Sequence, residues 1–261
     1  MLENYIICPK CKEKLVKVNN SYKCINNHSF DISKEGYVNL LLSKTNAGDN
    51  NILIKSRHNF LCNGYYEPLA FKLKELINDF APNTLLDAGC GTGYYASILK
   101  NSIPNIIGCD ISKDAIKLAS KKNKDIQYIV ASNQSIPVKD CSVDIILNIF
   151  APYFEEEFNR ILNNGYLIIV HTGPKHLWEL KQLIYNKPYL NKKEIYDLKH
   201  FSLIKEEEIC YQVNIPQNDL HLLFSMTPYY YKTKKEDISK INSVESLNTT
   251  INFTISIFKQ F

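Results

Sequence analysis

From about residue 84 onward, short apolar runs alternate with stretches in which apolar residues recur every three or four positions. Such runs predict buried strands, and such stretches predict helices packed on a sheet. Their regular alternation predicts an α/β fold, a doubly wound and mostly parallel sheet. The predicted strands are Thr84–Asp87, Ile106–Asp110, Gln127–Ala131, Val143–Ile149 and Tyr166–His171, and the predicted helices are Tyr94–Asn101, Lys113–Lys122, Phe154–Leu162 and His176–Tyr185.

The pattern differs at both ends of this α/β core. Residues 52–80 show helical periodicity that Gly64–Pro68 interrupts, which predicts two helices before the first strand. Beyond residue 190, apolar alternation near 209–215 and 251–258 flanks a helical stretch near 217–225. We therefore expect an antiparallel pair of strands to finish the sheet.

The stretch T-L-L-D-A-G-C-G-T-G-Y-Y, residues 84–95, predicts a buried strand, an acid near its end and a glycine-rich turn that opens a helix. This arrangement is typical of a site for a nucleotide-like cofactor, because backbone without Cβ atoms can approach the ligand closely. The alternative is an ordinary turn between a strand and a helix. The candidate cofactor-binding residues here are Asp87, Gly89, Gly91 and Gly93.

Two features favour S-adenosylmethionine over a dinucleotide. The dinucleotide pattern G-x-G-x-x-G needs a third glycine where this chain has Tyr94, whereas D-x-G-x-G-x-G is the pattern of class I methyltransferases. Asp87 can meet the amino group of S-adenosylmethionine but would repel a pyrophosphate. Asp110 ends the second predicted strand, where a carboxylate can accept hydrogen bonds from both ribose hydroxyls.

The N-terminal region contains the spacing C-x2-C-x12-C-x3-H, formed by Cys8, Cys11, Cys24 and His28. Three thiols and one imidazole at this spacing predict a closed, structural zinc site. So short a segment cannot bury enough apolar surface to fold alone, and the metal would supply folding free energy. The alternative is unliganded thiols in a small hairpin.

The pattern after the predicted zinc ligands gives a domain division. Alternating apolar residues in 29–41 predict short strands that close the small domain, and the polar stretch 43–51 predicts a linker. We therefore predict a zinc-binding domain over 1–45 and a methyltransferase domain over 46–261.

Charge and composition narrow the class of protein. The net charge is +4, and residues 1–45 hold seven lysines against four acids, which suits a nucleic-acid-facing appendage or an ordinary solvated face. The other five cysteines are scattered, which is typical of reduced core thiols. Without a long apolar run or a signal-peptide pattern, we expect a cytoplasmic protein that does not bind membranes.

Three further residues near predicted strand ends keep two interpretations each. Asn133 could contact the adenine edge or lie in a plain loop. Phe150, in N-I-F-A-P-Y, could stack on a substrate base or fill the core. His176 could point into the site or cap the helix that it opens. No side chain is marked as a catalytic base.

Together, several segments resemble the 23S rRNA (guanine-N1)-methyltransferases, the RlmA/RrmA family. The resemblance covers essentially the whole chain. It is carried by the zinc-ligand spacing and by F-D-I-S-K-E-G-Y-V-N-L-L, G-Y-Y-E-P-L, L-D-A-G-C-G-T-G-Y-Y, G-P-K-H-L-W-E-L-K and M-T-P-Y-Y-Y-K.

The resemblance implies transfer of a methyl group from S-adenosylmethionine to N1 of a guanine in a 23S rRNA hairpin. It also implies that the zinc-binding domain, residues 1–45, is an RNA-recognition domain that helps to hold this hairpin. It implies that Cys8, Cys11, Cys24 and His28 bind zinc and that Tyr66, Gly91, Thr92 and His176 contact the cofactor. A homodimer is compatible with it. The chain departs from the family at 163–166 and in a less basic stretch around 43–57. The rival functions are a small-molecule or protein methyltransferase and a non-catalytic RNA-binding protein.

Metal analysis of the purified protein should find one zinc ion per chain, because the four ligands complete a tetrahedron. The Cys24→Ser variant should lose this ion. A full zinc complement in that variant would contradict the ligand assignment.

Overall fold

The computed structural model describes residues 2–42, 51–227, 230, 233 and 238–261. The predicted linker 43–51 and the predicted domain boundary lie outside these residues, except for Asn51, and so does most of the 226–232 segment. The strands are β1 (Val16–Val18), β2 (Ser21–Lys23), β3 (Ser29–Asp31), β4 (Val38–Asn39), β5 (Thr84–Ala88), β6 (Asn105–Asp110), β7 (Gln127–Val130), β8 (Val143–Ile149), β9 (Leu162–Thr172), β10 (Phe201–Pro216) and β11 (Ser246–Gln260). The helices are α1 (Asn51–Cys62), α2 (Glu67–Asn78), α3 (Tyr94–Leu99), α4 (Lys113–Lys122), α5 (Glu155–Ile161), α6 (Trp178–Ile184) and α7 (Gln217–Ser225).

Eight strands form one large sheet in the order β10-β11-β9-β8-β5-β6-β7-β4. Neighbouring strands from β9 to β4 are parallel, and β11 is antiparallel to both β9 and β10. The predicted doubly wound sheet and the antiparallel finishing pair are therefore confirmed. The strand order reverses between β5 and β8, and such a reversal leaves a crevice at the carboxyl ends of the strands.

The predicted helices agree with the structure in place and differ at some ends. α4 has the predicted bounds. Its N-terminus is capped by Ser112, whose hydroxyl oxygen accepts a hydrogen bond from the backbone N–H of Ala115 at 3.3 Å. α6 begins at Trp178, two residues after the predicted start. The intervening Leu177 has a positive φ of 56°, so the helix cannot extend back to His176.

The prediction for the strands of the small domain needs a correction. β1, β2 and β3 form a three-stranded antiparallel sheet, as expected for a zinc module (residues 2–37). β4, however, pairs in parallel with β7 and becomes an edge strand of the large sheet. Val38 also bridges to Ile32, so it joins the two sheets.

One face of the large sheet shares its apolar core with the zinc module. Ile6 and Leu15 are buried in the same cluster as Val138 and Phe158. Backbone hydrogen bonds fix the contact, from the N–H of Ile7 to Pro137 at 3.0 Å and from Lys139 to Tyr5 at 2.7 Å. Because burial of apolar area stabilises both parts at once, unfolding either part exposes the core of the other.

The scattered cysteines are only partly core residues. Cys90 and Cys109 are buried, whereas Cys62, Cys141 and Cys210 are exposed. The expectation of core thiols is therefore correct for two of the five.

Among the helices described, none combines the length and the apolar character that a membrane crossing requires.

The Leu15→Ala variant should lower the free energy of unfolding of the whole chain by about 2–5 kcal/mol, because the fully buried Leu15 side chain belongs to the shared core. The fluorescence of Trp178, the single tryptophan, measures urea unfolding of the part that contains the large sheet rather than of the zinc module. The exposed Ile25 provides a matched control, and Ile25→Ala should leave the midpoint unchanged. An unchanged Trp178 transition in Leu15→Ala would show that the two parts do not share a core.

Candidate cofactor and metal sites

The glycine turn after β5 is held in place by Asp110, at the end of β6. One carboxylate oxygen of Asp110 accepts the backbone N–H of Gly91 at 2.8 Å, and the other accepts that of Ser112 at 2.7 Å. The N–H groups of Gly89 and Cys90 both donate to the carbonyl of Cys109, at 2.8 and 3.0 Å. The turn is thus fixed against the neighbouring strand, at the crevice where the strand order reverses.

Two of the glycines are required by close packing as well as by backbone conformation. Gly89 has a φ of 89°, and a Cβ there would stand 2.4 Å from the Cβ of Ala151 in the loop after β8. Gly93 has a φ of 73°, and its Cβ would stand 2.4 Å from the hydroxyl of Tyr128. At Gly91 a Cβ would meet nothing within 4 Å, so this side of the turn is open to a ligand.

Asp87 carries a buried carboxylate beside the turn. Asp87 is 2 % exposed, and its Oδ2 atom has no hydrogen-bond partner within the described part of the chain. Burial, with a further contribution from the charge of Asp110, raises the pKa of Asp87 to about 7. A buried carboxylate that lacks a partner favours a cationic ligand, and the ammonium group of S-adenosylmethionine fits it.

A second cluster joins Tyr66, just before α2, to His176, in the loop after β9. His176 is 5 % exposed, and its Nε2 lies 3.3 Å from the hydroxyl of Tyr66. Its Nδ1 accepts the backbone N–H of Asn252 at 3.3 Å, so Nε2 carries the proton and donates to Tyr66. Burial and the charge of Lys181 lower the pKa of His176 to about 3, which keeps the imidazole neutral.

Of the two interpretations for His176, the structure disagrees with helix capping, because α6 begins at Trp178 after Leu177 at the N-cap position, and the cofactor contact of His176 stays a prediction. Phe253 of β11 packs between the members of this cluster, with its ring centroid 4.9 Å from Tyr66, 4.8 Å from His176 and 5.1 Å from Phe150. The loop after β8 therefore contacts the same aromatic cluster as the two predicted cofactor residues.

Phe150 does not fill the core. It is 45 % exposed and has a positive φ of 53°, which is costly for a bulky residue. Asn148 holds this loop, because its Nδ2 donates to the carbonyls of Ala88 at 3.1 Å and Pro152 at 3.3 Å. Asn133 also donates to Pro152 at 3.3 Å, and its contact with adenine stays a prediction.

The sequence alone did not mark two residues of this region. Asn148 is 1 % exposed and holds the loop that carries Phe150. Tyr95 follows the glycine turn, is 8 % exposed and has a hydroxyl without a partner among the residues described. The sequence carries a weak signal for each residue. Asn148 is a polar residue near the end of an apolar strand, and Tyr95 is the second tyrosine after the last glycine of the turn. Thr92 is also buried, and its Oγ1 lacks a partner in the same part of the chain.

The four predicted zinc ligands lie together, with their ligand atoms all within 4.8 Å of one another. Cys11 Sγ is 3.6 Å from Cys24 Sγ, and His28 Nδ1 is 3.4 Å from the sulfurs of Cys8 and Cys24. Zinc–sulfur bonds of about 2.3 Å in a tetrahedron place sulfurs about 3.8 Å apart. The donor set and its spacing therefore fit a closed zinc site.

Two local turns produce this convergence. After Cys8, the backbone N–H of Lys12 returns to its carbonyl at 2.8 Å, and Lys12 has a positive φ of 64°. The N–H of Cys24 donates to the carbonyl of His28 at 3.1 Å, across a turn that contains Asn27 with a φ of 60°. The strand pairing of β1 with β2 then brings the second pair of ligands to the first.

Comparisons with known proteins agree with both sites. The zinc-ribbon family described as "RlmA, N-terminal" matches residues 6–45, and the family described as "Methyltransferase domain" matches residues 86–171. A solved structure described as a type II methyltransferase from Anaeromyxobacter dehalogenans has a TM-score of 0.51 and 16% identity, and covers 72% of this chain and 94% of its own. The fold is that of a class I, S-adenosylmethionine-dependent methyltransferase with an N-terminal zinc ribbon.

Two relatives cover nearly the whole chain. YxjB of Bacillus subtilis (strain 168), named as a 23S rRNA (guanine-N(1)-)-methyltransferase, is 31% identical over 96% of this chain and 95% of its own length. The 23S rRNA (guanine(748)-N(1))-methyltransferase of Streptomyces fradiae is 26% identical over 96% of both chains. The chain belongs to the 23S rRNA (guanine-N1)-methyltransferase family.

The Asp87→Asn variant should be more stable than the wild type in the absence of cofactor, and the difference should grow as the pH rises from 5 to 8. The raised pKa means that the folded state binds a proton that the unfolded state releases, so Asp87 costs stability above its ordinary pKa of 3.8, with the full cost reached above about 7. Thermal denaturation at several pH values measures the difference. A constant difference across this range would contradict the buried, unpaired carboxylate.

Proposed function

We propose that this chain transfers the methyl group of S-adenosylmethionine to N1 of a guanine in 23S rRNA. The observation that carries the proposal is the continuous match to YxjB, which spans the zinc module and the methyltransferase sheet together. A small-molecule or protein methyltransferase has no evident use for the zinc module. A purely RNA-binding protein has no use for a buried Asp87 beside a glycine turn.

The site residues take the following roles in this proposal. Asp87 binds the ammonium group of the cofactor, and Asp110 accepts the ribose hydroxyls while it holds the turn. Tyr66 and His176 contact the cofactor from the other side of the crevice. The remaining cofactor contacts come from the turn itself, at Gly89, Gly91, Thr92 and Gly93. Structural zinc is bound by Cys8, Cys11, Cys24 and His28.

S-adenosylmethionine supplies an already activated methyl group when it is bound, so the chain mainly has to position the acceptor. Phe150 lies at the carboxyl end of β8, half exposed, and its ring touches the aromatic cluster of Tyr66 and His176 through Phe253. We assign Phe150 to stacking on the target guanine, which holds N1 in line for transfer. A base that is taken out of its stack gains such a partner.

The zinc module supports the choice of RNA. It holds six lysines against four acids, which is +2 of the chain's net charge of +4, and it packs on one face of the large sheet. The lysines of this module can bind the phosphates of a folded RNA while the base enters the crevice. A hairpin as the target, a homodimer as the active form and a cytoplasmic location remain predictions of the family resemblance.

The direct test incubates the purified protein with labelled S-adenosylmethionine and unmodified 23S rRNA. Label should enter the rRNA, and reverse transcription should stop at one guanine, because methylation at N1 blocks base pairing. The Asp87→Asn variant serves as the inactive control. Absence of label from rRNA, with wild-type protein that binds the cofactor, would refute the proposal.

The Phe150→Ala variant should lower kcat/KM for rRNA by about 5-fold to 150-fold, the range of one base–aromatic stacking contact. The Phe150→Tyr variant keeps an aromatic ring and should retain most of the activity. Affinity for S-adenosylmethionine, measured by calorimetry, should change little in either variant. Full activity in Phe150→Ala would exclude the stacking role.

A further inference from the structure

The segment from Asp87 to Tyr95, which contains the glycine turn, holds three of the buried polar atoms that lack a hydrogen-bond partner within the described residues. They are Oδ2 of Asp87, Oγ1 of Thr92 and the hydroxyl oxygen of Tyr95, and each residue is at most 8 % exposed. Buried polar atoms are nearly always paired, because each unpaired one costs free energy. Three such atoms in one short segment of the chain therefore favour a polar ligand that completes them.

Tyr95 is buried and lies next in the chain to the predicted cofactor residues of the glycine turn. It is the second residue of α3, directly after the glycine turn, and its ring packs edge-on against Tyr94 with centroids 5.0 Å apart. Burial raises the pKa of Tyr95 well above its ordinary value, and its neighbours Tyr66, Tyr94, Tyr211 and Asp87 contribute in the same direction. Its hydroxyl therefore stays protonated.

The amino-acid end of S-adenosylmethionine carries an ammonium group and a carboxylate on the same carbon. If Asp87 binds the ammonium group, the carboxylate lies beside it and needs hydrogen-bond donors. Asp87 and Asp110 can supply none while they are ionised, and both would repel it. A protonated hydroxyl next to them is the kind of group that offsets this repulsion.

We propose that the hydroxyl of Tyr95 donates a hydrogen bond to the α-carboxylate of S-adenosylmethionine and so selects for a cofactor that carries this carboxylate. The assignment rests on the proposed function only in taking S-adenosylmethionine as the methyl donor. It adds a cofactor contact from the helix that follows the turn.

The test compares two ligands on the purified protein without RNA. Decarboxylated S-adenosylmethionine keeps the ammonium group and the sulfonium but lacks the carboxylate. In Tyr95→Phe, calorimetry should show that affinity for S-adenosylmethionine falls about 10-fold or more, the usual effect of losing a hydrogen bond to a charged group. Affinity for the decarboxylated ligand should stay within about 2-fold of the wild-type value.

Two further variants serve as controls for the hydroxyl and for the ammonium contact, and thermal denaturation checks the folding of Tyr95→Phe. Tyr94→Phe removes the neighbouring hydroxyl and should leave both affinities unchanged. Asp87→Asn should weaken both ligands, because both carry the ammonium group. Thermal denaturation of Tyr95→Phe should give a melting temperature close to that of the wild type.

The possible outcomes separate this inference from the proposed function. Equal losses for both ligands in Tyr95→Phe, or no loss for either, would overturn the role of Tyr95 and leave the methyltransferase assignment intact. Failure of the wild-type protein to bind S-adenosylmethionine would overturn both. Selective loss for S-adenosylmethionine would support the carboxylate contact whether or not the rRNA assay succeeds.

Discussion

The structure of the cofactor crevice depends on the carboxylate of Asp110. By accepting the N–H groups of Gly91 and Ser112, it fixes the turn after β5 and the start of α4 to the end of β6. The same negative charge helps to raise the pKa of the buried Asp87. One carboxylate thus orders the glycine turn and adds to the cost of ionising a second, buried carboxylate. This is a strained electrostatic arrangement, which is common where binding is the purpose.

The zinc module and the large sheet form a single apolar core on one face. β4 explains why, since its two residues belong to the sequence of the small domain but pair with β7. A module of this size gains stability from its metal and from the packed surface of the sheet together. The same packing holds the zinc module in a fixed position on the sheet.

Much of the fold could be predicted from the sequence because its signals are local. The apolar runs predicted β5 to β8, and the helical periodicity predicted α4. The cysteine spacing grouped four residues that the structure also brings together. The pairing of β4 could not be predicted, because the partner of a two-residue strand is set by distant packing. Tyr95 was missed for a similar reason, since its importance lies in an unpaired hydroxyl and not in a motif.

The proposed cofactor site depends on a contact between Asp87 and the ammonium group of S-adenosylmethionine. Titration calorimetry at pH 6.5, in buffers that differ in ionisation enthalpy, measures the protons released on binding. With a pKa of about 7 in the free protein, Asp87 is mostly protonated at this pH and must ionise in the complex. The wild type should therefore release more than about half a proton relative to Asp87→Asn. Equal proton release by the two proteins would contradict the claim.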